Sequence, residues 1–186
     1  NADGNPNQMN MTVPRLETLV RVRGSEAEPV RGVQFSGICF SYSSCPLPSG
    51  GYGGIQASYF ENRLVPAHLR KLNTETESSH LRLSAAIELS FAEDCGFLKS
   101  TFKHLGGGGI YLGRQTNNCF VKSSQIDDVG GCGVMVGETV TRKDPKGRSL
   151  VCDGNAIEGN QISQCGQVLF GSVGVWVGIA KRTLVI

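Results

Sequence analysis

The 186-residue chain has no long apolar run, no excess charge of either sign and only one Trp. Its apolar stretches fall well short of the roughly 20 residues a membrane-spanning helix needs, so no such helix is expected. Lys and Arg number 18 against 16 Asp and Glu, for a formal charge of +2, and no run of like charge occurs. That balance gives neither the footprint of a nucleic-acid binder nor that of a protein held on an anionic membrane, and neither partner is expected. The seven cysteines (39, 45, 95, 119, 132, 152 and 165) form no CxxC pair and no Cys/His zinc spacing. No metal site is expected from them. They read as buried structural thiols, since a free Cys packs as a small hydrophobe. The glycine run Gly106–Gly109 lacks both the GxGxxG pattern and a following Lys-Ser/Thr. Dinucleotide and P-loop nucleotide binding are therefore unsupported, and no cofactor is expected.

Glycine is abundant, at 25 residues, and it clusters beside short apolar triplets in a repeating unit. The segment Phe102-Lys103-His104-Leu105-Gly106, followed by Gly109-Ile110-Tyr111-Leu112-Gly113, matches Ile126-Asp127-Asp128-Val129-Gly130, followed by Gly133-Val134-Met135-Val136-Gly137, at a constant offset of 24. A further copy runs from Ile162-Ser163-Gln164-Cys165-Gly166 to Gly174-Val175-Trp176-Val177-Gly178. Two insertions delay it: a 12-residue polar stretch, Glu138 to Ser149, and five residues, Gln167 to Gly171. A looser copy reads through Phe35-Ser36-Gly37-Ile38-Cys39-Phe40 to Gly53-Gly54-Ile55-Gln56-Ala57. Each unit holds short strands of alternating apolar residues between Gly, Asn or Asp turns, and so much Gly opposes a helical reading. Pro66 to Leu83 reads as a loop leading into Ala86-Ile87-Glu88-Leu89. The expected fold is all-β, a right-handed single-stranded parallel β-helix. Residues 1–18 form its N-terminal lead-in segment and 19–186 its coils. The start on Asn reads as an internal cut or processed end. The apolar stretch Arg182-Thr183-Leu184-Val185-Ile186 has no polar cap, so the chain reads as a fragment whose solenoid runs on.

The block Val30-Arg31-Gly32-Val33-Gln34-Phe35-Ser36-Gly37 resembles the opening of secreted right-handed β-helix proteins of the pectate-lyase-like superfamily. The later Leu-Gly-Gly-x-Gly-Ile-x-Leu-Gly unit points the same way. The chain is most similar to bacterial β-helix glycoside hydrolases, including glycoside hydrolase family 141, over roughly residues 19–186. The resemblance implies a polysaccharide or oligosaccharide substrate and a periplasmic or extracellular setting. The same fold serves many chemistries, so the resemblance specifies architecture more closely than reaction.

In such a fold, equivalent positions of successive coils stack at about 4.8 Å. The offset of 24 then predicts Lys103 beside Asp127, His104 beside Asp128, and Arg114 beside Glu138. Cys95 falls beside Cys119, close enough for a disulfide if the Cβ vectors permit. Tyr111, Met135 and Trp176 form one outward ladder, with Gln56 extending it if the early copy is in register. Aromatic rings on an open face serve as platforms for sugar rings, and the loops Ser43–Gly54, with Tyr52, and Thr139–Ser149 are expected to rim the same groove.

Glycoside hydrolysis needs two carboxyl groups, roughly 5–5.5 Å apart for retention and 6.5–9.5 Å for inversion. Asp128 and Glu138 are the expected catalytic pair, with His104 tuning Asp128. Trp176, Tyr111, Tyr52, Gln56, Asp127, Lys103 and Arg114 are the expected substrate-binding residues. A polysaccharide lyase is the first alternative, with Lys103 or Arg114 as base, although no clustered Asp run suggests Ca²⁺. A non-catalytic carbohydrate-binding or structural solenoid is the second.

Overall fold

The computed structural model describes residues 5, 8, 11–47, 59–61, 80–82 and 84–186, with 59–61 and 80–82 as backbone only. The first coil consists of β1 (Val20–Arg23), β2 (Val30–Arg31), β3 (Gln34–Ser36) and β4 (Cys39–Ser43). An antiparallel pair, β5 (Tyr59–Glu61) and β6 (His80–Arg82), intervenes. The second coil is β7 (Ala85–Ser90), β8 (Ala92–Glu93), β9 (Gly96–Leu98) and β10 (Thr101–Leu105). The third is β11 (Gly108–Leu112), β12 (Thr116–Asn117), β13 (Phe120–Lys122) and β14 (Gln125–Val129). The fourth starts with β15 (Val134–Val136) and is interrupted by the hairpin β16 (Arg142–Lys143) and β17 (Ser149–Leu150). It resumes with β18 (Cys152–Asp153), β19 (Ala156–Glu158) and β20 (Gln161–Ile162). The last strands are β21 (Val175–Val177), β22 (Ala180–Lys181) and β23 (Leu184–Val185). No α-helix occurs among the described residues.

Strands at the same place in each coil pair in parallel, giving four sheets along the axis. Sheet A is β1-β7-β11-β15-β21, sheet B is β2-β8-β12-β18-β22, sheet C is β3-β9-β13-β19-β23, and sheet D is β4-β10-β14-β20. The molecule is a parallel β-helix, and parallel crossovers of this kind are right-handed in nearly all proteins. The expected register holds at Lys103↔Asp127 and at Tyr111↔Met135↔Trp176.

The corners are set by single residues with left-handed backbone. Asp94, Asn118 and Arg182 share one column with Gly32 and Gly154, all at positive φ between sheets B and C. Lys99 and Ser123 share the next with Gly37 and Gly159, and Tyr42, His104, Asp128 and Gln164 form a column within sheet D. The corner N–H donates to the neighbouring coil, as in Asp94 to the Asn117 carbonyl and Lys99 to the Lys122 carbonyl. Among the described residues, eleven that are not glycine adopt this conformation. At about 1–2 kcal/mol each, the strain rivals the stability of a whole domain, so inter-coil stacking must hold it in place.

That stacking is apolar inside. Ile87, Ile110, Val134 and Val175 lie on one set of rungs, and Leu89, Leu112, Val136 and Val177 on another. At the first two coils, Phe35 stacks on Phe97 at 5.0 Å and Phe40 on Phe102 at 5.2 Å, with edge contacts between the pairs. Asn155 and Asn160 tie coils three and four together. The Asn155 Oδ1 accepts from the Cys119 N–H at 2.8 Å, while its Nδ2 donates to the Thr116 carbonyl at 3.0 Å. Asn160 repeats the arrangement with Ser124 and Val121.

Three expectations change. The strand beside β11 on the N-terminal side is β7, so Glu88 occupies the place on the ladder next to Tyr111. Gln56 and Tyr52 lie outside the described residues; of the early copy, the described strands β3 and β4 join the solenoid, with Phe35 and Phe40 on their inward side. The backbone of His80–Arg82, within the segment read as a loop, is strand β6. Cys95 and Cys119 are both buried free thiols rather than a disulfide. Burial pushes the Cys119 thiol up to about 12, so it stays protonated and packs as a hydrophobe.

Candidate functional site

A strand normally sends successive side chains to opposite faces. In sheet D the left-handed residue breaks this alternation. Along β14, Ile126 and Val129 are fully buried while Asp127 and Asp128, between them, both reach the outside. The same holds for Lys103-His104 between Phe102 and Leu105, and for Ser41-Tyr42 between Phe40 and Ser43. Sheet D therefore carries two outward columns side by side: Ser41, Lys103, Asp127 and Ser163, then Tyr42, His104, Asp128 and Gln164.

Both columns are cross-linked between coils. The His104 Nδ1 lies 2.7 Å from Asp128 Oδ2. An ionised carboxylate only accepts, so Nδ1–H is the donor of this bond. The Tyr42 ring stacks on the other side of His104, 5.3 Å between centroids and 24° from parallel. In the neighbouring column, the Ser163 hydroxyl donates to Asp127 Oδ1 at 2.6 Å. Asp128 thus leans toward the second coil and Asp127 toward the fourth. His104 and Asp128 are each a little over 40% exposed (42% and 43%). They line a cavity of about 240 Å³ with Ser43, Leu105, Gln167 and Val168. The five-residue insertion read from the sequence forms one wall of this cavity. Its Leu169 is fully buried as an anchor, and the N–H groups of Val168 and Leu169 both donate to the Gly130 carbonyl.

The outward side of sheet A is different. Tyr111 and Met135 are only 6% and 1% exposed, packed with Ala85, Cys132, Val173 and Trp176. The Tyr111 ring folds over Gly113 and the Trp176 ring over Gly178, where a Cβ would meet ring carbons at 2.2 and 2.3 Å. The ladder exists, but it is a covered apolar layer and not an open sugar platform. Large side chains two residues before a glycine lie flat and bury themselves, a consequence the repeat alone did not convey.

Glu138 also sits elsewhere than expected. It lies past the far end of β15 from the Asp128 cavity, at the corner between sheets A and B, and the hairpin β16–β17 belongs to that corner too. The strand's three residues span about 10 Å at 3.3 Å per residue, so Asp128 and Glu138 are not brought together as a carboxyl pair. Arg114 is not its partner. Arg142, four residues on, holds both Glu138 carboxylate oxygens through Nε at 2.9 and 3.2 Å, while the Arg114 guanidinium lies 5.1 Å from the Phe91 ring centroid. The insertion brought its own cation. It is closed by Asp144, which accepts from the Lys146 and Arg148 N–H groups and from Arg148 Nε. These bonds hold the Asp144 carboxyl below the usual range.

No family model matches the chain, and no curated protein matches it. Among solved structures, one titled glycoside hydrolase superposes with a TM-score of 0.74 at 22% identity, over 93% of this chain and 31% of that one. The likeness is one of fold. The chain spans about a third of that protein's length.

Sequence spacing found His104, Asp128, Lys103 and Asp127. It missed Tyr42, whose offset from His104 is 62 rather than 24, and Ser163 and Gln164, which share the columns across the 36-residue offset. The signal that finds them is the polar pair between two inward apolar residues. Among the described residues no cluster of His, Cys, Asp and Glu is arranged to hold a metal.

Proposed function

We propose that the chain is part of a carbohydrate-active β-helix enzyme, a glycoside hydrolase of the pectate-lyase-like superfamily resembling family 141. It would bind a polysaccharide or oligosaccharide on the outer face of sheet D. The observation that carries this reading is the pair of adjacent outward carboxylates, Asp127 and Asp128, each held by a donor from a different coil. The two lean opposite ways along the axis, and a glycosidic linkage would be placed between them. Asp128, fixed by the His104 Nδ1–H, is suited to act as nucleophile or base. Asp127, with the Ser163 hydroxyl on one oxygen, has the other available as general acid. Lys103 and Gln164 flank them to bind sugar hydroxyls. The same resemblance supports a periplasmic or extracellular setting.

The test is turnover by the protein on a panel of neutral and uronate-containing polysaccharides. Asp127→Asn and Asp128→Asn are each expected to lower kcat at least 100-fold, and Glu138→Gln less than about threefold. If both Asn variants keep more than a tenth of wild-type kcat, the site is wrong. An unsaturated uronate product, with Lys103→Ala inactive, would instead establish the lyase alternative.

A further inference from the structure

We infer that the loop Gln167–Phe170 is a specificity wall that holds one sugar ring over the His104–Asp128 pair. This rests on the reading of sheet D as the glycan-binding face. Two apolar side chains stand out from the loop on either side of its buried anchor Leu169: Val168 is 48% and Phe170 76% exposed. Large apolar groups held outward by a fully buried neighbour are costly to leave in water, about 25 cal/mol per Å². Val168 lines the cavity whose floor carries His104 and Asp128. Tyr42, 45% exposed, stacks on His104.

The cavity thus has an apolar wall at Val168 over a polar floor of His104 and Asp128, a combination found in small-molecule sites. A sugar ring matches it, with apolar C–H faces and a polar hydroxyl perimeter. At about 240 Å³, the cavity lies below the roughly 300–1,000 Å³ of drug-sized ligand pockets, which fits a single ring better than several. Tyr42, exposed and stacked on His104, takes the platform role that the covered ladder of sheet A does not fill. The wall arises from an insertion outside the 24-residue unit, so changes in its exposed residues leave the stacking of the coils intact. That is where a solenoid tunes specificity.

The experiment is equilibrium binding, by saturation-transfer NMR and titration, of xylose, fucose, galactose and glucose and their short oligosaccharides. The proteins compared are wild type, Phe170→Ala, Val168→Asp and Phe170→Tyr. Wild type is expected to bind at least one probe. Phe170→Ala and Val168→Asp should weaken it at least tenfold, Phe170→Tyr should restore it to within threefold, and Tm should be unchanged for exposed positions. Equal affinity across wild type, Phe170→Ala and Val168→Asp overturns the wall, as does wild type binding none of the probes. Failure of the catalytic reading is seen separately, in unchanged kcat for Asp127→Asn and Asp128→Asn. A wall variant that raises KM and leaves kcat intact supports the inference on an active substrate.

Discussion

Sheets A and D are built from the same coils, yet their outer sides have opposite character. On sheet A, one outward residue per coil alternates with two inward ones, and its Tyr111 and Met135 are buried beneath further apolar contacts. On sheet D, a left-handed residue adds a second outward position, and the face is polar, half-exposed and cross-linked by His104–Asp128 and Ser163–Asp127. The difference comes from one backbone angle per coil. A single residue at positive φ doubles the density of functional groups that a strand presents, at a cost in strain that the regular interior absorbs.

The largest effect expected from this contrast is on stability. Met135→Ala on sheet A should cost about 2–5 kcal/mol, since it empties a site that is only 1% exposed. Lys103→Ala, on a half-buried position of the neighbouring sheet, should stay within about 0.5 kcal/mol. Denaturant titration of the two variants checks this. Similar losses for both would mean that the two outer faces do not differ in packing. Next in size is the catalytic comparison. A 100-fold loss of kcat in Asp128→Asn corresponds to about 2.7 kcal/mol of transition-state stabilisation, and Met135→Ala should leave kcat of the folded fraction nearly unchanged.

How far these two faces were legible in the sequence follows from what repeats. Inward residues recur because each must stack on its equivalent, so the 24-residue offset placed Lys103 beside Asp127, His104 beside Asp128 and Tyr111 beside Met135. Outward surroundings do not recur, because they depend on insertions. Glu138 took its partner Arg142 from the 12-residue insertion, and Glu88 replaced Gln56 as the neighbour of Tyr111 because the first two coils are separated by a long excursion. Whether an outward ladder is open or covered is a property of what lies across it, which periodicity does not encode. The doubled face was readable in principle, as two polar residues between apolar ones at Ser41-Tyr42, Lys103-His104 and Asp127-Asp128.

A smaller effect separates two inter-coil pairs of similar appearance. Asp153 on the fourth coil binds Arg182 on the fifth through two hydrogen bonds of 2.7 and 2.8 Å. Those bonds, followed by the charges of Arg182 and Lys181, hold the Asp153 carboxyl below its usual range. The folded value lies below the unfolded one, about 3.9, so the stabilisation is present above that pH and is lost as pH falls through the folded value. The Gly154 N–H, which donates to the Lys181 carbonyl, should exchange faster with solvent under those acidic conditions. In Asp153→Asn this acid dependence should disappear. Turnover measured near neutral pH should be insensitive to the same change, in contrast to Asp128→Asn. A 100-fold loss of kcat in Asp153→Asn would erase the distinction between a pair that joins coils and one that serves a reaction.

The smallest effect tests the backbone angle itself. Lys99 is exposed at φ 48, in a column whose first and last members are glycines Gly37 and Gly159, also at positive φ. Lys99→Gly removes the left-handed penalty of about 1–2 kcal/mol and adds back about 0.5–1 kcal/mol of lost chain entropy. A net gain between zero and about 1.5 kcal/mol is expected, with activity unchanged. His104→Gly relieves the same conformation at φ 55, but it deletes the imidazole that holds Asp128 and should lower kcat at least tenfold. If His104→Gly is instead as active as Lys99→Gly, the left-handed residues of sheet D are corners like the rest. The strain there would then serve only to turn the chain.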